Sequence, residues 1–484
     1  MAEHVPSGSG LEPQAFAGLP VLVAGLGRSG RAAARHLADA GADVIAADDA
    51  TGLDVVELTV RGVRVHLGPG AVELLGGRRL VVVGPGLPER HPLIRAALGA
   101  GLPVWSEVEL AARLATCPLV GVTGTNGKTT TTELATAMLV ASGLRAVAAG
   151  NVGTPLIDAV LARPAPDAVV AELSSFQLCF TDRLRLAAGA WLNLAPDHLD
   201  WHPTMARYAA AKARVWANQT AEDWALYPAD DPVVAEHAER AGGTLVPYQL
   251  RPPPPGGLGV EAGVALARTF REDTPLWRAA ALRLPGRHNL ANALAASGLA
   301  LALGANPAGM ARAVAAFRPR PHRLATVATV GGVAFVDDSK ATNPHAAAQA
   351  LRAFERVVWL AGGRNKGLAF DELVEQAVGR LAGVVLLGEA AEELAFALGK
   401  AEFEGPMLQA ASMAEAVELA AGVAAPGDTV LLAPACASQD MFTDYAARGD
   451  AFAAAVAALR DRTPERRSAP SGTPATGGER RARG

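Results

Sequence analysis

The stretch GVTGTNGKTTTTELATAML, residues 121–139, joins an apolar run to a helix-forming run through a loop of glycine, lysine and threonine. Glycine at positions 124 and 127 lets backbone N–H groups approach phosphate oxygens, and the positive end of the following helix attracts the same anion. Lys128 can then reach the terminal phosphates of a nucleoside triphosphate, while Thr129 offers a hydroxyl to magnesium. The spacing is unusual, because a valine stands six residues before the lysine, where such loops normally have glycine. We predict a phosphate-binding strand, loop and helix within an α/β fold.

The composition indicates a globular protein of several domains. The 484 residues are 50% hydrophobic and 19% charged, and a chain of this length typically forms about three domains. The formal net charge of −4 provides no basic surface, so we expect no nucleic-acid partner. Three widely spaced cysteines fit neither a zinc site nor a disulfide framework. The N-terminus lacks a signal-peptide pattern and no apolar run approaches the ~20 residues of a membrane span, so we expect a cytoplasmic protein without a membrane partner.

Short apolar runs that end in small residues alternate with helical stretches along the chain, which is typical of parallel sheets covered by helices. The predicted strands are LPVLVAGLG, RLVVVGPG, LVGVTGTNGK, DAVVAELSS, AAGAWLNLAP, RVVWLAGG, GVVLLG and DTVLLAPA. Ligands of such sheets bind at the carboxyl ends of the strands. The predicted divisions are a disordered N-terminus at 1–18, domains at 19–115, 116–319 and 320–461, and a disordered tail at 462–484.

The first block opens with VLVAGLGRSG, the pattern of a nucleotide-binding turn. Gly25, Gly27 and Gly30 match the glycine fingerprint, and the next strand ends in Asp48 and Asp49, about 20 residues later, where a ribose-binding acid belongs. Taken alone, this pattern fits an NAD-dependent dehydrogenase as well as any other nucleotide-binding protein.

Two polar stretches follow predicted strands of the middle block. VVAELSSFQL places Glu172 at the end of an apolar strand, where a buried carboxylate needs a cation nearby, and we predict a magnesium ligand there. NLAPDHLDWH supplies Asn193, Asp197, His198, Asp200 and His202 within ten residues. Metal binding and a hydrogen-bonded turn explain that stretch equally well. Lys212, in YAAAKARVW, is typical of a helix surface.

Seven stretches together resemble the Mur ligase family, the ATP-dependent amide ligases that build the cytoplasmic peptidoglycan precursor. They are TGTNGKTT, GNVGTP, ELSSFQL, DHLD, GRHNLANALAA, PHR and DDSKATNP. The resemblance runs through all three blocks, from about residue 19 to about residue 459. Within the family, GLGRSG, GGRNKG and LLAPACASQDMF most resemble the members that add D-glutamate. The resemblance implies a Rossmann-like UDP-binding domain, a P-loop-type central ATPase domain and a Rossmann-like C-terminal domain.

The implied activity is ATP-dependent addition of D-glutamate to UDP-N-acetylmuramoyl-L-alanine, through an acyl phosphate, with release of ADP and phosphate. It belongs to peptidoglycan precursor synthesis and so to cell wall biogenesis, cell shape and cell division. The resemblance further implies a monomer that needs ATP, two magnesium ions and one carbamylated lysine. The third domain would close over the other two to exclude water from the acyl phosphate.

The family's site residues are carried over by position. The UDP-sugar contacts would be Leu26, Arg28, Ser29, Asp48, Gly86, Asn151, Ser174 and Gln177. The ATP contacts would be Gly124, Thr125, Asn126, Gly127, Lys128, Thr129, Thr130, Asn289, Asn292, Arg323, Asp338 and Lys340. The D-glutamate contacts would be Thr342, Lys366, Ser438 and Tyr445.

Five residues would carry the catalytic and metal roles, and all of them except Thr129 would be catalytic. Lys128 would bind the terminal phosphates, and the metal ligands would be Thr129, Glu172, His198 and carbamylated Lys212. The resemblance therefore contradicts the interpretation of Lys212 as an ordinary lysine on a helix surface. Three positions depart from the family pattern: Pro228, Asn365 and Tyr445 stand where asparagine, aspartate and phenylalanine are common.

Three other functions would share parts of this sequence pattern. A folylpolyglutamate-synthetase-like ligase would share the phosphate loop but would not need the N-terminal glycine-turn domain. The alanine-adding Mur ligases are disfavoured by Lys366 together with PACASQDMF. A catalytically silent nucleotide-binding partner protein would not need Lys128, Glu172, His198 and Lys212 together.

Overall fold

The computed structural model describes residues 5–6, 8–268, 273–318 and 320–462. They divide into two compact units. Unit 1 contains the chain up to Arg320 together with Asn343–Ala353 and Asn365–Leu373. Unit 2 contains Pro321–Thr342, Phe354–Arg364 and the chain from Val374. Unit 1 holds two β-sheets and unit 2 holds one.

The first sheet of unit 1 has five parallel strands in the order β3-β2-β1-β4-β5. The strands are β1 Pro20–Ala24, β2 Asp43–Asp48, β3 Arg64–Leu67, β4 Leu80–Val83 and β5 Val104–Ser106. The helices are α1 Arg28–Asp39, α2 Val56–Thr59, α3 Pro92–Gly99 and α4 Glu107–Leu114. Strand order reverses at β1, which opens a crevice at the carboxyl ends of β1 and β4. A Cβ on Gly30 would lie 1.9 Å from the carbonyl oxygen of Gly25, so only glycine lets α1 approach β1 this closely.

The second sheet of unit 1 has nine strands in the order β14-β13-β12-β11-β10-β9-β6-β8-β7. The strands are β6 Leu119–Thr123, β7 Ala146–Gly150, β8 Ala168–Glu172, β9 Ala188–Trp191, β10 Trp224–Pro228, β11 Thr244–Tyr248, β12 Leu258–Glu261, β13 Val264–Ala267 and β14 Thr274–Arg278. The helices are α5 Lys128–Ala141, α6 Leu156–Val160, α7 Ser175–Cys179, α8 Met205–Ala213, α9 Pro232–Ala238, α10 Arg287–Ala302 and α11 Pro307–Ala316. The β12–β13 and β13–β14 pairs are antiparallel and the others are parallel. Buried apolar side chains from both faces of β6 form the centre of this domain.

The sheet of unit 2 has six strands in the order β15-β16-β20-β17-β18-β19. The strands are β15 Ala325–Val330, β16 Val333–Asp337, β17 Val357–Gly362, β18 Leu381–Leu387, β19 Met407–Gln409 and β20 Thr429–Ala435. The helices of the third sequence block are α12 Pro344–Leu351, α13 Asp371–Ala377, α14 Ala391–Lys400, α15 Met413–Val423 and α16 Tyr445–Arg462. Only β15 runs antiparallel to its neighbour.

The predicted α/β architecture is confirmed. Each of the eight predicted strands coincides with a strand of the structure, because each combines an apolar, buried run with a terminating glycine, alanine, serine or proline.

Disorder was predicted for residues 1–18, and this is wrong for Pro13–Phe16. These residues form a 3-10 helix whose Phe16 is fully buried. The predicted tail lies outside the described residues from 463 onward, and Arg462 is the last residue of α16. Within the part of the chain that the structure describes, no helix combines the length and the apolar character needed to cross a bilayer.

Candidate active site

The phosphate loop lies between β6 and α5, at the carboxyl end of the parallel strands. Gly124 has φ +151° and Gly127, the N-cap of α5, has φ +84°, a backbone that residues with a side chain rarely adopt. A Cβ on Gly127 would lie 2.4 Å from Oδ1 of Asn292 on α10. The Nζ of Lys128 donates to the carbonyl oxygens of Gly124 at 2.8 Å and Thr125 at 2.9 Å. The loop thus combines a close backbone turn with a cation, the two features that bind a phosphate.

The segment after β9 holds the phosphate loop. Oδ1 of Asn193 accepts the N–H of Asn126 at 2.9 Å, and Nδ2 of Asn193 donates to the carbonyl oxygen of Asn126 at 3.1 Å. Oγ1 of Thr125 accepts the N–H of Ala195 at 3.0 Å and lies 3.3 Å from the hydroxyl of Tyr208. The amide of Asn193 is therefore used to fix the loop.

Glu172 ends β8 and is buried. Its Oε2 accepts the hydroxyl of Thr129 at 2.6 Å, and its Oε1 accepts Nδ2 of Asn151 at 2.9 Å. Thr129 lies on the first turn of α5, and Asn151 directly follows β7. Three strand ends of the sheet therefore bring a carboxylate, a hydroxyl and a carboxamide together beside the phosphate loop.

Lys212 lies on α8 and is only 1% exposed, so its interpretation as a surface lysine is wrong. Its Nζ donates to the carbonyl oxygen of Gly124 at 2.8 Å and lies 4.4 Å from the ring centroid of Tyr208. Burial lowers the pKa of Lys212 well below its usual value, and the charge of Lys128 lowers it further, against the opposing effect of Asp197. The environment therefore favours the neutral amine.

Asp197 connects three segments of unit 1. Its side chain is 5% exposed, and its Oδ2 accepts Nδ2 of Asn343 at 2.9 Å. Its Oδ1 accepts the N–H of His198 at 2.9 Å and lies 3.5 Å from Nζ of Lys366. Asn343 is also the N-cap of α12, where its Oδ1 accepts the N–H of Ala346 at 2.8 Å. One carboxylate thus joins the turn after β9 to two segments that come from the third sequence block.

His198 and His202 differ in what they contact. The side chain of His198 is 36% exposed, and burial together with the neighbouring lysines lowers its pKa to about 4, against the opposing charge of Asp197. This favours the neutral imidazole that binds metals. Nε2 of His202 instead lies 2.9 Å from Oγ of Ser175. Within the described ranges, no three His, Cys, Asp or Glu side chains are grouped to hold a metal, so DHLDWH is not a complete metal site by itself.

A cavity of about 410 Å³ lies at the carboxyl ends of β1, β2 and β4. It contains five of the predicted UDP-sugar contacts: Arg28, Ser29, Asp48, Gly86 and Asn151. The carboxylate of Asp48 accepts the N–H of Leu26 at 2.6 Å and that of Ala50 at 2.9 Å. The glycine turn and the acid at the end of β2 therefore form one wall of this cavity.

Three other predicted UDP-sugar contacts lie outside the lining of that cavity. The side chain of Leu26 is buried in the apolar core, and only its N–H faces the Asp48 carboxylate. Ser174 and Gln177 form a capping box at the start of α7. Nε2 of Gln177 is a buried donor without a protein partner among the described residues, which leaves one amide hydrogen-bonding position for a ligand.

Three more of the predicted ATP contacts, Thr130, Asn289 and Asn292, lie on α5 and α10. Nδ2 of Asn292 donates to Oδ1 of Asn289 at 3.4 Å, and Nδ2 of Asn289 donates to the carbonyl oxygen of Pro285 at 2.7 Å. Both asparagines are buried, whereas Thr130 on α5 is partly exposed.

The other predicted contacts lie in unit 2. Oδ1 of Asp338 accepts the N–H of Leu324 at 3.1 Å, and burial raises the pKa of Asp338 to about 7 against the opposing charge of Arg323. Nζ of Lys340 lies 4.0 Å from the ring centroid of Tyr445. Ser438 is buried after β20, and Thr342 is partly exposed.

Comparisons with known proteins identify the family. A UDP-N-acetylmuramoylalanine--D-glutamate ligase of Frankia casuarinae is 50% identical over 453 residues, which cover 92% of this chain and 95% of the relative. The chain belongs to the Mur ligase family. A Streptomyces coelicolor protein with the same name is 45% identical over 470 residues, covering 92% of this chain and 99% of that relative.

Three family models match successive parts of this Mur ligase. The MurD-like N-terminal domain of Mur ligases matches residues 20–106, the Mur ligase middle domain matches 122–300, and the glutamate ligase domain of Mur ligases matches 322–436. Each model covers one of the three sheets described above.

Solved structures share the fold. A type C pseudomurein peptide ligase from Methanothermus fervidus aligns with a TM-score of 0.55 at 18% identity, covering 86% of this chain and 96% of that one. The UDP-N-acetylmuramate-alanine ligase MurC from Thermotoga maritima aligns with a TM-score of 0.54 at 18% identity, covering 91% and 100%. Both support the three-domain Mur ligase architecture.

Sequence reasoning missed several polar residues of this Mur ligase. Arg448 on α16 is 1% exposed and donates to the side chain and the carbonyl oxygen of Ser339, both at 2.9 Å, and to the carbonyl oxygen of Cys436 at 3.1 Å. Nδ1 of His322 lies 2.6 Å from Oδ2 of Asp337. The arginine of the alanine-rich YAARGDAFAAA stretch and the histidine of PHR were the available signals.

Proposed function

We propose that this chain ligates D-glutamate to UDP-N-acetylmuramoyl-L-alanine while ATP is converted to ADP and phosphate. The observation that carries the proposal is the meeting of Lys128, Glu172 and Lys212 around one phosphate loop. It occurs in a chain that is 50% identical to a protein named as a D-glutamate ligase.

The chemistry requires activation of a carboxylate. An oxygen of the L-alanine carboxylate attacks the γ-phosphorus of ATP, the bond to the β-phosphate oxygen breaks, and ADP leaves. The neutral amine of D-glutamate then attacks the acyl carbon and releases one proton to solvent, phosphate leaves with the former carboxylate oxygen, and an amide remains. Lys128 and the N–H groups of the phosphate loop stabilise the charge on the transferring phosphoryl group. No side-chain nucleophile is needed for either step.

The oxygen donors beside the loop fit a magnesium ion. The Thr129 hydroxyl and the Glu172 carboxylate are 2.6 Å apart, and both are hard oxygen ligands of the kind that magnesium prefers. When bound, magnesium would neutralise phosphate charge. We assign Thr129 and Glu172 to one ion, and His198 with carbamylated Lys212 to a second.

Lys212 is suited to carbamylation. Its neutral amine can attack the carbon of CO₂, forming an N–C bond and releasing one proton, which converts the side chain into an anion. The new carboxylate would form beside Lys128, whose Nζ donates to the same carbonyl oxygen of Gly124 as Lys212. The carbamate would place a negative charge beside Lys128 and supply an oxygen ligand.

The remaining residue assignments belong to the same proposal. The UDP-sugar diphosphate would bind at the Arg28–Ser29 turn at the start of α1, where the helix N-terminus favours an anion. For D-glutamate, we keep Lys366 as the partner of the side-chain carboxylate, and Thr342, Ser438 and Tyr445 as further contacts. We also propose that the protein is cytoplasmic and a monomer of 49.5 kDa, which light scattering in solution would test.

The deciding experiment measures ADP release by purified protein with UDP-N-acetylmuramoyl-L-alanine and each of several amino acids. We expect turnover with D-glutamate only, and a product whose mass equals that of the two substrates less one water. ADP release that needs UDP-N-acetylmuramate and L-alanine instead would assign the chain to the alanine-adding ligases. ADP release that is independent of any UDP-sugar would contradict the proposal.

A further inference from the structure

Two arginines of the first sheet's domain, one at the start of α1 and one between β4 and α3, contact loops of the middle domain. Nη1 of Arg28 donates to the carbonyl oxygen of Gly153 at 2.6 Å. Nη1 of Arg90 donates to the carbonyl oxygen of Trp201 at 2.9 Å, and Nη2 donates to that of Asp200 at 2.5 Å. The Gly153 loop carries Asn151, and the second loop carries His198. Each arginine therefore joins the first sheet's domain to a loop beside the phosphate-binding side.

Arg90 contacts the middle domain without lining the cavity. It lies in the segment between β4 and α3, of which Gly84, Pro85, Gly86, Leu87 and His91 line the cavity. Arg90 is exposed and is not one of the described residues that line the cavity, whereas Arg28 lines it directly. A change at Arg90 can thus disturb the contact between loops while leaving the cavity wall intact.

The loop that Arg90 contacts has a strained backbone. His198 has φ +55°, a left-handed conformation that is uncommon for residues other than glycine. Its carbonyl oxygen accepts the N–H of Trp201 at 3.1 Å and of His202 at 2.9 Å, which closes the turn. The ring of Phe176 packs 4.8 Å from that of His198 and 4.7 Å from that of Trp201. The two hydrogen bonds from Arg90 fix the end of the same turn, at the carbonyl groups of Asp200 and Trp201.

We propose that Arg90 is a positioning residue that couples an occupied UDP cavity to the placement of His198. The inference rests on the proposed function, because it assigns the cavity to the UDP-sugar and His198 to the nucleotide side. A UDP-sugar that orders the segment between β4 and α3 also fixes Arg90. The planar guanidinium then holds two consecutive carbonyl groups, which a flexible ammonium cannot do with the same geometry. The left-handed turn at His198 is thereby favoured.

The coupling is reciprocal by thermodynamic necessity. If a bound UDP-sugar favours the turn that carries His198, it must tighten binding of the magnesium nucleotide. The nucleotide must then tighten binding of the UDP-sugar by the same factor. Loss of Arg90 reduces both effects equally.

The test compares the full-length protein with Arg90→Ala, Arg90→Lys and Arg95→Ala. Arg95 is an exposed arginine on α3 and serves as the matched control. Calorimetry measures binding of UDP-N-acetylmuramoyl-L-alanine, and of a non-hydrolysable ATP analogue with magnesium, each with and without the other. Steady-state kinetics supply kcat and the KM of each substrate.

In Arg90→Ala we expect UDP-sugar affinity in the absence of nucleotide to stay within about two-fold of the parent. The tightening of nucleotide binding by the UDP-sugar should fall about ten-fold, equivalent to about 1.4 kcal/mol, or disappear. The kcat should fall by a similar factor. Arg90→Lys should recover only part of this loss, and Arg95→Ala should behave like the parent.

Four results would overturn the inference: unchanged coupling and kcat in Arg90→Ala, an equal loss of UDP-sugar affinity without nucleotide, full recovery in Arg90→Lys, or the same loss in Arg95→Ala. Absence of D-glutamate ligation by the parent would count against the proposed function alone. The two binding titrations would then still decide the role of Arg90.

Discussion

The side-chain amines of Lys128 and Lys212 both donate to the carbonyl oxygen of Gly124, each at 2.8 Å. Lys128 comes from the first turn of α5, and Lys212 from α8, 84 positions later in the sequence. Two ammonium groups on one oxygen would repel each other, and Lys212 is the more buried of the two. Its pKa is lowered first by burial and then by Lys128. The phosphate loop thus has one cation and one amine that is suited to carbamylation.

Replacement of Lys212 should abolish turnover through loss of the carbamate. We expect Lys212→Ala to lose at least about 100-fold in kcat, since even partners of metal ligands typically contribute 10–100-fold. Acetate or formate should restore part of the activity by occupying the vacated space. The parent protein should carry an extra 44 Da, about the mass of CO₂, on Lys212, and bicarbonate should restore protein that has been stripped of it. A fully active Lys212→Arg protein would contradict this explanation, because its guanidinium cannot be carbamylated in the same way.

Replacement of Lys128 should separate turnover from UDP-sugar binding. Lys128→Ala removes the cation beside the transferring phosphoryl group, and loss of one such donor typically lowers kcat about 10²–10³-fold. UDP-sugar affinity measured by calorimetry should stay within about two-fold, because the cavity between β1, β2 and β4 does not include this residue. Lys400→Ala, at the end of α14, is the control lysine. Turnover of Lys128→Ala near that of the parent would refute the phosphate-loop assignment.

Glu107 should make stability depend on pH. It begins α4, is 1% exposed, and accepts the N–H of Ile157 at 2.7 Å through Oε1, while its Oε2 has no partner among the described residues. Burial raises its pKa from 4.5 to about 7, opposed by the N–H groups of Ile157 and Leu156 and reinforced by Asp158. Between these two values the folded chain binds more protons than the unfolded chain. Stability should therefore fall as pH rises through this window, by up to about 3 kcal/mol from this group.

The comparison of Glu107→Gln with the parent measures this effect by thermal unfolding at pH 5 and pH 8. Glutamine cannot ionise, so the variant should match the parent at pH 5 and unfold at a higher temperature than the parent at pH 8. Glu57→Gln is the control, since that side chain is 52% exposed. A difference between Glu107→Gln and the parent that stays constant with pH would show that the carboxyl is not protonated in the folded chain.

Lys366 should determine the choice of amino acid. Its Nζ lies 3.5 Å from Oδ1 of Asp197, and its side chain is 28% exposed, so an incoming carboxylate can compete for it. The parent should prefer D-glutamate over D-alanine by about 10⁴-fold, because a site built for a charged group leaves buried donors unpaired when that group is absent. L-Glutamate should be poor, since its amine points away when the side-chain carboxylate is held. ADP release by Lys366→Ala should show a much smaller preference, and an unchanged preference would exclude Lys366 from this role.

Local sequence was sufficient for the elements that depend on local physics. The phosphate loop could be predicted because Gly124 and Gly127 adopt backbone angles that other residues avoid, and because an apolar run precedes them. The position of Glu172 at the end of a strand could be predicted because the run before it is apolar and buried along its whole length. The resemblance to the Mur ligases supplied the family, and relatives of high identity now show it.

Side-chain partners from distant segments could not be predicted in this way. His198 and His202 lie four residues apart in one turn, yet the side chain of His198 is 36% exposed, whereas His202 is buried and contacts Ser175. Leu26 lies in the glycine turn of the UDP cavity, but its side chain packs into the core instead of lining the cavity. In both cases the direction of the side chain depends on what the fold places beside it.

The sequence by itself determined the positions of the eight predicted strands, the phosphate loop and the family, because these depend on apolar periodicity, glycine backbone angles and motif spacing. Only the tertiary structure decided that Lys212 is buried on the Gly124 carbonyl and that Arg90 reaches the turn of His198. The physical reason is that the sequence of an amphipathic helix predicts which face is buried, but it does not predict which strand end or loop packs against that face. The pKa of Lys212 and the strain at His198 arise from those long-range contacts, so they appear only once the chain has folded.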